Sequence, residues 1–352
     1  MSNKVIQIHE PYAKLVYQNF MRFKDKWNFL MLSDNPNITW DIINKHSDKP
    51  WNWHWLSQNR IITCDIVEKH PDKPWNWSSL GHNPNISFDF VAKHEGKPWD
   101  WYGICYNPST DFEYIEKHPD LPWDWFGLSR NPKITWEFIE KYPNKPWHWY
   151  AIGCNPNITW EIVTKHPDKP WNWHGLSQNK NITCDIIKNN PDKPWDWCAL
   201  SFNPNLSWDL VESNIFKPWD WHGLSHHPNI TWDIIQKHSG MPWDWYWISS
   251  NPNITWDIVK KNPRKHWNWH ALSYNINITP AIVATNPDRQ WDWIRLSHNP
   301  SMLLTRKEIT VVQEGVRAIQ KQWQTSVANP NYRICRSRLF KEFGDLSEIC
   351  TV

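Results

Sequence analysis

The chain has 352 residues, of which 38 are basic and 36 acidic for a net charge of +2, and 32 are tryptophan. So even a balance supplies no global field that would select nucleic acid or an anionic membrane, and the longest apolar runs fall far short of a membrane span. Length alone suggests two or three domains, but a tryptophan that recurs every 24 residues points to one repetitive array.

In chain order, residues 1–26 read as a degraded half unit that forms an N-terminal cap. Lys14-Leu15-Val16 stands where later units have Ile-Thr-Trp, and Lys26 replaces a proline. Met1 to Glu10 lacks the basic and then apolar pattern of a secretory signal, so the protein is expected not to be secreted. From 27 to 304 the period runs without insertion or deletion through twelve tryptophans, from Trp27 and Trp51 to Trp267 and Trp291. A second tryptophan follows two residues later in eleven units, and Phe29 takes its place in the first. A fixed period of this length marks a solenoid, in which each unit packs only on its neighbours.

The unit from Asn155 to Asn179 carries two helix starts. Thr159 precedes Trp160-Glu161-Ile162-Val163, and Thr, Ser or Asp fills that row in every unit that has it, as an N-cap requires. Asn172 lies between the paired tryptophans, and its row is Asn or Asp except at His148. These signals predict helices over 160–166 and 173–178, with Pro167 closing the first and Pro156 opening the turn before it. Glu161 and Lys165 complement the dipole at the two ends of the first helix. Helices this short do not persist alone, so burial of tryptophan between stacked units has to hold them.

The expected fold is all-α: an α-solenoid of about twelve 24-residue helix pairs with helical caps. Stacking at about 8–10 Å per unit would make an open array about 100 Å long, coiled into a right-handed superhelix. Residues 305–352 read as a C-terminal helical cap and tail. Gly315 stands where the next tryptophan would fall, Thr305 to Trp323 has helical spacing, and Arg333, Arg336, Arg338 and Lys341 cluster beyond it. Arg60, Lys180 and Ile276 stand where other units have proline, and Pro280 replaces the first-helix tryptophan, so local bends are expected there.

Several rows invite chemistry. His46, His70, His94, His118, His166 and His238 form one, but residues of one row lie about 8–10 Å apart. Zinc needs ligand atoms at about 2.0–2.3 Å, so the row suits helix ends and no metal or other cofactor is expected. An asparagine row (Asn35, Asn59, Asn83 and onward, with His227 as its exception) suits turns that bond their own backbone. Seven cysteines lack any C-x-x-C and fit free thiols. Trp55 and Trp247 fill a row otherwise mostly Gly, Ala or Ser, and read as extra, exposed rings.

One row varies too widely for tight packing, running from Asp34 and Gln58 to Tyr274 and His298. Tyr106, Arg130, Gln178, Phe202 and Tyr274 in it are the candidate partner-binding surface. No nucleophile elbow, zinc-protease motif, P-loop or dinucleotide glycine pattern occurs, so no enzyme is expected. The function expected is a non-enzymatic protein-interaction scaffold. A virion structural component is the first alternative; a single-stranded nucleic-acid binder, which needs exposed rings beside a basic groove, is the second.

The unit N-P-N-I-T-W-D-I-[IV]-x-K-H-P-D-K-P-W-[ND]-W-x-x-L-S, repeated from Asn35 to Pro300, resembles the tryptophan-rich tandem repeats in proteins of giant double-stranded DNA viruses of amoebae. The resemblance implies a viral product in the host cytoplasm or the particle, possible host-factor partners, and no particular activity.

Overall fold

The computed structural model describes residues 13–304. The chain is an all-α solenoid of short helices in a repeating pair, and no strand occurs among the described residues. In the unit read above the pair is Trp160–Lys165 and Trp173–Gln178, each within a residue of expectation. Thr159 and Asn172 accept the N–H of Ile162 and Gly175 through their side chains, as N-caps should. His148, the departure from cap chemistry, also caps: its Nδ1 accepts the Ala151 amide at 3.4 Å.

Successive units are joined by two kinds of hydrogen bond that recur around the molecule, one from a buried asparagine amide and one to a serine hydroxyl. The Asn155 amide donates to the carbonyls of Ser129 (3.1 Å) and Asn131 (2.9 Å), which lie 26 and 24 residues earlier. Its Oδ1 meanwhile accepts the Asn157 N–H at 2.9 Å and shapes its own turn. The Ser177 hydroxyl accepts the N–H of Asp196, the N-cap of the next unit, at 3.0 Å. The asparagine row thus forms the expected local turns and also links neighbouring units.

The same links join the two ends of the described chain. Asn35 donates to the carbonyls of Ser297 and Asn299, each at 3.0 Å, and Ser297 Oγ accepts the Asn28 N–H at 2.8 Å. Unit one therefore sits where a thirteenth unit would stand, and the solenoid closes into a ring of twelve. Edge-to-face aromatic contacts show the same closure. Trp173 meets Trp195 at 5.2 Å, Phe29 meets Trp51 at 5.1 Å, and Trp293 meets Trp27 at 6.2 Å to complete the circle.

Closure overturns the open array about 100 Å long and its right-handed superhelical advance, which were projected from stacking distance alone. It also moves the boundary drawn at residue 27. A helix through 13–22 takes the place of a first helix, with Val16 and Phe20 buried and Asn19 donating to the Leu303 carbonyl at 2.9 Å. It is a joint rather than a cap over an exposed end. The helix expected over Thr305 to Trp323 and the basic tail lie outside the described residues.

The ring has two layers. The closest helix-to-helix approaches are between second helices of successive units, the pair closing the ring included. In concentric layers with equal numbers of elements the tighter spacing lies inside, so second helices form the inner wall and first helices the outer. Side-chain size sets the wedge. A Cβ on Gly127 would come within 2.7 Å of the Tyr102 carbonyl, and one on Gly175 would clash with that of Tyr150. Outside, Trp160 fills the gap to the next unit and meets Trp195 at 5.5 Å.

Indole N–H groups of the first of the paired tryptophans find acceptors in the core, while among the described residues Trp136 Nε1 and His46 Nε2 are buried without a hydrogen-bond partner. Trp51 and Trp171 donate their indole N–H to the carbonyls of His46 (2.9 Å) and His166 (2.8 Å), so this histidine row caps helix ends and receives the tryptophans. Units without the turn proline are not bent out of register: Asn179 and Asn275 keep their cross-unit bonds, and Pro280 occupies the first helical position, where it costs no hydrogen bond. The five cysteines among the described residues are free thiols.

His227 replaces asparagine by donating from Nε2 to the Asn203 carbonyl (2.8 Å) while Nδ1 accepts the Asn229 N–H (3.1 Å). Only the neutral ring can do both. Burial holds His227 below the ordinary value of 6.5, against the opposing Asn203 carbonyl and with His226 reinforcing it. As pH falls past about 6.5 the unfolded chain takes up the proton first, so the stability contributed here is present above that pH and is lost as pH drops toward the folded-state value.

Two outcomes follow. In denaturant titrations, Asn35→Ala should destabilise as much as Asn155→Ala, about 1–3 kcal/mol, since both leave buried carbonyls without a donor; in an open array Asn35 would have no unit before it and its loss would be small. Thermal melts at about pH 7.5 and 5.5 should show a smaller acid-induced loss for His227→Asn than for the natural chain. An equal loss would remove His227 as a source of acid sensitivity.

Candidate functional site

Each inner helix buries one side and turns the other toward the central opening. In Trp173–Gln178, Gly175, Leu176 and Ser177 are buried, while His174 and Gln178, one turn apart, remain on the free side with their Nε2 atoms 3.1 Å apart. Two rows therefore line the opening: the variable row of Gln178, and a second row four residues earlier, that of His174. Twelve helices spaced about 8 Å apart place their axes on a circle about 30 Å across; with helices about 10 Å thick, the opening is about 20 Å wide.

The five residues singled out from sequence all lie on this lining. Tyr106, Phe202 and Tyr274 are exposed there, and the Arg130 guanidinium lies 5.6 Å from the centre of the Tyr106 ring. Gln178 meets the Tyr150 hydroxyl at 3.4 Å, and the Tyr274 ring meets that of His298 at 5.3 Å in a tilted contact. Of the five only Tyr106 and Arg130 touch, so they mark a girdle around the opening rather than a single patch. Trp247 is exposed on the same wall, whereas Trp55 is half-buried.

The row that sequence analysis missed supplies most of the continuity. Tyr102 stacks on Tyr106 (6.3 Å) and on Phe126 of the next unit (5.8 Å), Phe126 meets His148 at 4.6 Å, and Tyr150 meets His174 at 5.7 Å. A second arc joins His226 to Trp247 (5.4 Å), Trp247 to Tyr246 (5.3 Å) and Tyr246 to His270 (6.2 Å). At the joint, exposed Leu30 and Ile294 fall in adjacent units although they come from opposite ends of the array. The signal available in sequence was the four-residue offset from the variable row, which places both rows on one helix face.

Charge is arranged as deliberately as the rings. Asp196 caps its helix through Oδ1, and its Oδ2 lies 2.7 Å from His174 Nδ1 of the preceding unit. His222 and Asp244 (3.2 Å) repeat the pair, as do His270 and Asp292, and His82 reaches Asp100 at 3.4 Å. Burial pushes the Asp196 carboxyl up, but the Ala199 amide, His174 and the Cys198 amide outweigh it and hold the group below its ordinary value. Six inner-helix caps are aspartates and the variable row adds Asp34, seven in all, against Arg130 and Arg295 on the inner helices. With histidines neutral, the lining is acidic.

Two features that resemble other sites lead elsewhere. His54 Nδ1 lies 2.7 Å from Ser79 Oγ, but Ser79 is buried and the second nitrogen of His54 faces the Gln58 amide at 3.4 Å rather than a carboxylate. A groove of about 240 Å³ between first and second helices is bordered by Trp123, Trp125, Phe138 and Tyr142, with Lys145 lying 5.2 Å from the Trp125 ring centre. Lys97, Lys217 and Lys265 lie likewise over Trp77, Trp197 and Trp245, so the chain's own cations cover the tryptophans that begin these second helices.

Among the described residues no helix is long and apolar enough to cross a membrane. Comparison of the chain with protein-family models, curated proteins and solved structures returns no match.

Proposed function

We propose that the protein is a non-enzymatic scaffold that receives a segment of a partner protein in the opening of its ring. One observation carries this reading. Of the eight exposed large apolar side chains among the described residues, Leu30, Tyr106, Phe202, Trp247, Tyr274 and Ile294 all lie on the lining; Met21 and Phe216 are the others. Exposed apolar area concentrated on one concave wall is characteristic of an interaction site. An opening about 20 Å wide suits a helix, about 10–12 Å across, or an extended segment better than a folded domain.

The acidic lining disfavours nucleic acid, since aspartates repel a phosphate backbone and binding depends on its neutralisation by basic groups. The resemblance of the repeat to giant-virus proteins motivates the further proposal that the partner is a host or capsid protein, met in the host cytoplasm or the particle.

A photoreactive phenylalanine analogue placed at Phe202 should crosslink a protein in cells that produce the chain, and the same analogue at fully exposed Phe216 should not yield that product. Identical crosslinked products from both sites, or none from Phe202, would place the interaction outside the opening.

A further inference from the structure

We infer that the opening is selective for a basic segment of a partner protein, bearing arginine or lysine beside apolar residues. This rests on the proposed function, since it names the chemistry of the occupant for the same lining. Three features of the wall point to a cation. First, the half-buried belt of Tyr102, Phe126 and Tyr150 and the exposed ring of Tyr274 gather aromatic systems on the wall, whose quadrupole attracts guanidinium and ammonium groups. Second, cap aspartates such as Asp196 and Asp244 spend Oδ1 on a helix N–H and leave the other oxygen at the lining, where a histidine of the preceding unit rather than a lysine or arginine is the partner supplied by the chain. Third, the chain already seats one guanidinium on this wall, that of Arg130 over Tyr106, which shows the group the surface accommodates.

An anionic segment would meet the same seven aspartates with only Arg130 and Arg295 to answer them. A purely apolar one would leave the carboxylates desolvated without a counter-charge. A basic amphipathic segment satisfies both features together, placing its apolar side on the rings and its cations on the aspartates.

The sequence supplies its own conservative variants. Asparagine caps the equivalent helix at Asn172 and serine fills the belt row at Ser78, so Asp196→Asn/Asp220→Asn/Asp244→Asn and Tyr102→Ser/Phe126→Ser use residues the repeat already accepts there. Calorimetric titration of the full chain would compare a 14-residue peptide of alternating arginine and leucine with its glutamate counterpart, at low and moderate salt. The basic peptide should bind one per ring, with the dissociation constant rising about tenfold in the triple aspartate variant, as expected when three partly exposed charge contacts are lost. The belt variant should also weaken it.

Preference for the glutamate peptide, weakened by the belt variant, would overturn the basic-partner inference while leaving the opening as the binding site. Binding of the basic peptide unchanged in both variants would overturn the inference, and an opening that takes neither peptide would do the same. Binding seen only after Arg333, Arg336, Arg338 and Lys341 are changed to glutamine would replace the partner with the chain's own tail.

Discussion

Every unit but one is held to the one before it by an asparagine amide that reaches two backbone carbonyls, His227 reaching a single carbonyl in its place, and most are held also by a serine hydroxyl that accepts the N–H of the next helix cap. The asparagine amides and their carbonyl acceptors are buried, and a buried carbonyl left without its donor costs more than the bond itself contributes. An open array would leave one such face unsatisfied at its end. Here Asn35 and Ser297 complete the circuit, so every inner helix among the described residues has a neighbour on both sides. The edge-to-face ladder of tryptophans depends on the same register and closes at the same place, between Trp293 and Trp27.

Curvature explains why twelve units suffice. Glycine and alanine on the inner helices permit close backbone approach, while Trp160 and its row hold the outer helices apart. Every unit is therefore a wedge, and twelve wedges make a full turn. Closure also creates the functional surface. The free face of an inner helix is unremarkable alone, but twelve such faces turned inward gather rings and carboxylates around one opening.

Much of this was legible in the sequence. Thr159, Asn172 and Pro167 placed both helices to within a residue, because capping and proline effects are local. The local role of the asparagine row was legible for the same reason. Its cross-unit role was not, because the acceptors are backbone carbonyls that every residue possesses. Closure was hidden more deeply. Lys14-Leu15-Val16 is too degenerate to identify as the outer helix of unit one, and a worn unit fits an end cap as well as a joint. Gly315, standing where a thirteenth tryptophan was due, marks the place that Trp27 fills. Tyr106, Arg130, Gln178, Phe202 and Tyr274 were found through variation between units, while Tyr102, Phe126 and Tyr150 became visible only when helix geometry placed both rows on one wall.

Electron microscopy of single particles of the full chain tests closure most directly. The account predicts a ring about 60 Å across, from two concentric layers of helices each about 10 Å thick around the opening. Curved rods about 100 Å long with two free ends would contradict it, and with it the claim that the lining is a single enclosed surface.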